Sequence, residues 1–322
     1  MKKKVYGLTF VMLLLFSAVA GLLLVDLASS NIIPPVVLPV ITIGSGGSIS
    51  PETDLISRNG NTYTLTADIQ EYPIVIKCSN IILDGAGHTI NITTGDNVGL
   101  ELYHVNNVIV KNITVFSRNI YTIYLYHSSN CLITGVQTGY SVRIVGSSNT
   151  ITESNTGVYI FSGSNNLITR NNISDVLVGG GSSNMFFKNN FCLTDYPALF
   201  VESLWDNGSV GNYWSNYTIK YPNASEVGNT GIGDTSYVIQ REWSTTKEYP
   251  NVKNVDNYPL MYPYDIENDA IAFPTPEPTP TPEPESFPTL VVATASAASA
   301  IAGAALLIYF KNRKHSNESL KV

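Results

Sequence analysis

The chain has 322 residues, 44% hydrophobic and 13% charged, with a formal charge of −7 and an isoelectric point near 5.1. That is enough apolar material for one sizeable core, and uncharged polar residues must cover its surface. The acidic balance, with no Lys/Arg-rich stripe in the central region, excludes the cationic field that nucleic-acid binding needs, so no nucleic-acid partner is expected.

Lys2, Lys3 and Lys4 precede an apolar run from Val5 to Val25. A positive segment followed by a hydrophobic one is an export pattern, assigned to residues 1–28. Ala18 and Ala20 form a small-residue cleavage pattern, yet the apolar run continues past them, which leaves a signal peptide or an uncleaved signal anchor. Residues 29–48 read as a linker and 49–79 as an N-terminal cap with the first strands.

Residues 80–204 repeat. The segments CSNIIL, VNNVIV, SSNCLI, SSNTIT, SNNLIT and SSNMFF carry marker asparagines at Asn80, Asn107, Asn130, Asn149, Asn166 and Asn184, spaced by 27, 23, 19, 17 and 18 residues. Periods in this range belong to solenoids. Two places after the markers stand Ile82, Ile109, Leu132, Ile151, Ile168 and Phe186; ahead of them stand the pairs Leu100/Leu102, Ile123/Leu125, Val142/Ile144 and Tyr159/Phe161. This alternation has the two-residue period of a strand with one buried face. Each coil is expected to hold at least two short strands joined at an Asn-bearing turn, where Asn tolerates left-handed backbone and bonds its own main chain. Stacked ~4.8 Å apart, such coils make an all-β parallel β-helix whose equivalent positions form columns.

Residues 205–273 read as a C-terminal cap, with Trp205, Trp214, Trp243, Tyr213, Tyr217 and Tyr258 covering the open last coil. PTPEPTPTPEPESFP, residues 274–288, is a polyproline II stalk. The apolar run over 289–310 is long enough for a transmembrane helix, and Lys311, Arg313 and Lys314 place the tail, 311–322, in the cytoplasm and the β-helix at the cell surface. Glycosylation acceptors of the form Asn-x-Ser/Thr begin at Asn91, Asn112, Asn172, Asn207, Asn216 and Asn223 on the exterior side. Cys78, Cys131 and Cys192 cannot all pair and fall at different positions of the repeat, which favours buried free thiols.

The repeats, the opening SISPETDLISRNGNTYTLTADI, the phrase IILDGAGHTI, and GNYWSNY, GIGDTSYVI and DNYPLM resemble the NosD-type, CASH-containing right-handed β-helix surface proteins of archaeal type, from Ile49 to Met261. The resemblance implies a right-handed helix and an association with carbohydrate binding and sugar hydrolysis. It also implies a calcium loop between GNYWSNY and GIGDTSY, where Glu226, Asn229 and Asp234 are the available oxygen ligands. With so few acids a capping loop without metal is the expectation, and no other cofactor is expected. Copper handling, suggested by the NosD name, needs closely spaced Met, Cys or His ligands, and here these residues are dispersed.

LYHVNN, starting at Leu102, and LYHSSN, starting at Leu125, join the repeat to candidate chemistry. In this register Tyr103 and Tyr126 are column mates, as are His104 and His127, and Glu101, Tyr124 and Arg143 form another column. Three readings compete for this patch. It is a ladder stabilised by cross-strand pairing, a saccharide-binding face on tyrosine platforms with Arg and Glu holding hydroxyls, or a two-histidine metal site that lacks further ligands. Hydrolysis needs two carboxyls ~5–5.5 Å or ~6.5–9.5 Å apart. Glu101 has no carboxylate neighbour in its columns, Asp84 is the turn former of LDGAGH, and Glu153, Asp175 and Asp195 occupy scattered registers. The expectation is a surface module that binds polysaccharide or glycan, or serves the cell envelope in structure or adhesion, with a polysaccharide lyase or glycoside hydrolase on the same face as the alternative.

Overall fold

The computed structural model describes residues 38–192, 197–239 and 254–271. The expected signal segment, stalk, membrane span and tail lie outside these residues, as do Trp243 and Asp195. Among the described residues no helix is long and apolar enough to cross a membrane.

Twenty strands of the described residues form one continuous sheet wound into a right-handed β-solenoid of about 7 turns. The sheet has three parallel faces. The first follows the marker turn and stacks Thr62–Leu65, Ile82–Asp84, the start of Ile109–Ser117, the start of Leu132–Val145, Thr150–Thr152, Leu167–Thr169 and Met185–Phe187. The second runs from Ile69–Gln70 and Thr89–Ile92 to Asn190–Phe191 and Tyr213–Trp214. The third runs from Ile41–Ile43 and Ile74–Ile76 through Leu100–Tyr103 and Tyr121–Tyr126 to Ala198–Leu199. Ile41–Ile43 fall within the expected linker, yet they pair with Ile74–Ile76, so the fold begins ahead of residue 49.

The turn ahead of the first face is left-handed at Asn80, Asn107 and Asn130, as the markers suggest. In the next coils the left-handed residue is Ser148, Asn165 or Ser183, one place before the marker. Asn149, Asn166 and Asn184 are instead buried. Each of the first two donates its side-chain amide to the next coil's side-chain oxygen, at 3.1 and 2.9 Å. These markers therefore bond between coils, where the sequence suggested bonds to their own main chain. Buried amides demand partners, and a stack of identical coils supplies them.

The one-place offset reassigns part of the core. Ile133, Ile151, Ile168 and Phe186 share a buried column with Leu83 and Val110, whereas Ile82, Ile109 and Leu132 face outward and are only half-buried. On the third face Leu100/Leu102, Ile123/Leu125 and Val142/Ile144 are buried as expected, but the next coil inserts Val158 and Ile160 rather than Tyr159 and Phe161. The cause is a β-bulge: Ile144 and Val145 stand opposite Ile160 and Ser162, so Phe161 is an extra residue. With a side-chain period of two, a slip of one residue exchanges inside for outside.

The ends are blunted by antiparallel pieces. At the N-terminal end Ile56–Asn59 pairs with Thr62–Leu65, and Ile49–Ser50 pairs with Ile41–Ile43. At the other end Trp205 stacks on Phe186 at 4.5 Å, Trp214 on Phe191 at 4.3 Å, and Tyr237 on Trp214 at 4.4 Å. All three cysteines are free, but only Cys131 is buried; Cys78 is half-buried and Cys192 exposed.

Candidate functional site

The outward side of the third face carries the column Val75, Glu101, Tyr124, Arg143, Tyr159 and Leu177, one residue per coil. Beside it Tyr103 and Tyr126 stack at 5.3 Å with their rings 22° apart. His104 and His127 stack at 5.0 Å on left-handed turn residues, each edge-on to its tyrosine neighbour at 4.5 Å. The sequence-derived columns thus come together in space. Tyr124 joins the plate edge-on to Tyr126 at 5.3 Å, and the Lys77 ammonium lies 5.6 Å from the Tyr103 ring centre.

Arg143 sits among three rings, 4.7 Å from Tyr121, 4.7 Å from Tyr124 and 4.1 Å from Phe161. Each contact is a cation–π interaction. Tyr159 donates its hydroxyl to Asp175, and burial together with that bond pushes the phenol up from its ordinary value. Glu101 is half-buried, and loss of water raises its carboxyl while the Lys77 charge opposes the rise. Tyr121, Tyr159, Phe161 and Lys77 belong to this face although sequence reasoning did not place them there. Two of them follow only from the bulge; Lys77 was legible, one place beyond the alternating Ile74 and Ile76.

A second surface was not anticipated. On the second face Thr114, Gln137, Asn155 and Asn172 form an outward polar column, six or seven residues beyond their markers. They line a groove of about 840 Å³. Its charged flank is internally paired: Arg170 meets Glu153 at 2.7 Å and Asp269 at 3.7 Å, and Lys188 meets Asp269 at 3.4 Å. One end is closed by the hairpin Tyr264–Asp265 and Ala270–Ile271. Asn190 receives the Tyr264 N–H at 2.7 Å and donates to its carbonyl at 2.9 Å. The Tyr264 hydroxyl, with Lys188 and Arg170 assisting, holds the Asp269 carboxyl below its ordinary range. Carboxylates kept ionised in this way are poor general acids.

The phrases GNYWSNY, GIGDTSY and DNYPLM meet in the C-terminal cap. Asn171, Asn189 and Asn212 make a second buried amide ladder, and Asn212 ends on Asp256 through its main-chain N–H at 2.7 Å and its side-chain amide at 3.3 Å. Trp214 Nε1 and the Tyr258 N–H also donate to Asp256, at 2.9 and 3.1 Å. A Cβ on Gly211 would lie 1.8 Å from this carboxylate, and one on Gly233 2.2 Å from the Tyr217 hydroxyl, so both positions need glycine for close approach. Tyr217 in turn donates to the Thr235 carbonyl at 2.6 Å.

In the loop where calcium was considered, Glu226 accepts the Gly231 N–H at 2.8 Å and Asp234 accepts the Ser225 N–H at 3.0 Å, while Asn229 is exposed in a turn. The carboxylates serve the loop's own backbone and do not form a cage. Among the described residues no group of three His, Cys, Asp or Glu converges as a metal site. Of the glycosylation acceptors, Asn112, Asn172, Asn207, Asn216 and Asn223 are exposed and Asn91 is half-buried; Asn112 and Asn172 line the groove.

Compared with protein-family models, with curated proteins and with solved structures, the chain matches none. Its fold is a parallel β-helix.

Proposed function

We propose that the protein is an extracellular β-helix module, anchored by its C-terminal span, that holds a polysaccharide or glycan along the aromatic third face. The observation that carries this reading is the plate of Tyr103, Tyr124 and Tyr126, with two half-buried charged groups, Glu101 and Arg143, in the same patch. Sugar rings present C–H faces to aromatic rings and hydroxyl edges to charged groups, and a groove or face of this mixed kind fits both. The export segment, the proline stalk and the apolar run followed by cations support the location, and the NosD-type phrases support the carbohydrate association.

Hydrolysis on this face has little support. Glu101 and Asp175, carboxylates that the described residues place on this face, lie on coils four steps apart, about 19 Å at the inter-strand spacing, well beyond the ~9.5 Å limit for paired carboxyls. A glycan array of the full chain, with product analysis of every bound polysaccharide, tests the reading. Intact glycan should be retained, and Tyr103→Ala/Tyr126→Ala should weaken retention by at least about tenfold with little change in melting. Shortened or unsaturated products would make the protein an enzyme, and an array without any bound glycan would leave a structural or adhesive envelope role.

A further inference from the structure

Among the described residues Arg143 is a cation without a counterion. Its Nε is buried with no hydrogen-bond partner, and among the described residues no carboxylate lies within ion-pair distance of it. The nearest candidates are accounted for. Asp175 receives the Tyr159 hydroxyl, and Glu101 stands two coils away with Tyr124 between, about 10 Å along the column. Buried polar groups are nearly always satisfied, and guanidinium groups most often by carboxylate or phosphate. The three rings around Arg143 enclose its Nε and hold the guanidinium plane in place without offering it an acceptor, so its two terminal Nη groups are oriented and still able to donate. Lys77, at the other end of the tyrosine plate, also makes no ion pair among the described residues. Two cations without an ion pair among the described residues therefore bracket the plate, Lys77 with the Glu101 charge in its vicinity and Arg143 with none, on a chain whose net charge is −7.

We propose that the polysaccharide held on this face is acidic, with a uronic-acid carboxylate received by the Arg143 guanidinium while neighbouring sugar rings lie on Tyr103, Tyr124 and Tyr126. This rests on the glycan-binding reading above. Arg143 then supplies two parallel N–H donors to the carboxylate, and Lys77 supplies a second, longer-range attraction. Glu101, half-buried and unpaired, accepts from a sugar hydroxyl and disfavours a second carboxylate at its own coil, which sets the spacing of charge along the ligand.

The test is calorimetric titration of the full chain with a panel of uronic-acid oligosaccharides and with the same oligosaccharides after reduction of their carboxyls to alcohols. The acidic member of the best pair should bind at least about tenfold more tightly, and added salt should narrow the gap. Arg143→Gln should bring the two forms level, and Arg143→Lys should keep part of the preference, since charge remains while the fork is lost. Equal binding of acidic and reduced forms by the unaltered protein would overturn the acidic assignment and leave the glycan platform standing. Binding of neither form would overturn the platform as well. Melting curves check the folding of Arg143→Gln; should it fail to fold, Arg143→Lys and the salt dependence of the unaltered protein still decide the matter.

Discussion

At Asp256 a single carboxylate ends a column that no amide could end as well. Each asparagine of the Asn171, Asn189, Asn212 ladder donates to the oxygen of the next, so the final partner must accept without needing to donate. An ionised carboxylate, the form that prevails at Asp256 above about pH 7, does so, and here it receives two N–H groups from Asn212 and one each from Trp214 and Tyr258. Asp256→Asn turns one oxygen into a donor that faces other donors, and should cost about 1–3 kcal/mol in denaturant unfolding at about pH 8, where the carboxylate is ionised. Burial meanwhile pushes the Asp256 carboxyl from 3.8 up to about 7, against the pull of those donors. A folded value above the unfolded one means that the contribution to stability is fully present below about pH 4 and is lost as pH rises through about 7. Melting temperature should therefore fall between pH 5 and pH 8 for the unaltered protein and be flatter across that window for Asp256→Asn; equal slopes would remove Asp256 as the cause.

Among the strands, the coil is the unit that decides what each side chain does. Leu125 is fully buried in the column of Leu102 and Ile144, so Leu125→Asp places an unpaired charge in the core and should leave the protein unfolded or aggregated. A soluble variant with an unchanged melting curve would contradict this register. The bulge at Phe161 works in the opposite sense, since it turns an aromatic ring outward over Arg143, where it is 37% exposed. Phe161→Ala should cost only about 0.5–2 kcal/mol of stability yet weaken glycan retention, a separation readable by melting and array binding together. The columns of Glu101 with Tyr124 and Arg143, and of Tyr103 with Tyr126, were legible in the sequence because no inserted residue separates them from the marker that follows in each coil. Tyr159 and Phe161 were not, because a bulge inserts one residue without any mark in the alternation of apolar side chains.

For the molecule as a whole, a stack of coils with open ends would expose unpaired strand edges and apolar columns, and the caps remove that hazard. Trp214 is buried between Phe191 and Tyr237, and Trp214→Ala should cost about 3–5 kcal/mol and promote self-association, seen as larger species by light scattering. The groove on the second face depends on the same long-range closure, for Lys188 reaches Asp269 across 81 residues of chain. The sequence by itself determined the solenoid class, the coil spacing, the tyrosine and histidine columns and the aromatic character of the cap, because each follows from local periodicity and from residue types repeated at that period. Only the tertiary structure decided which of two alternate faces is inside after each bulge, which markers bond across coils, how Asp256 joins three distant phrases, and that Arg143 has no counterion among the described residues. Those features arise from contacts between coils, and no local period records them.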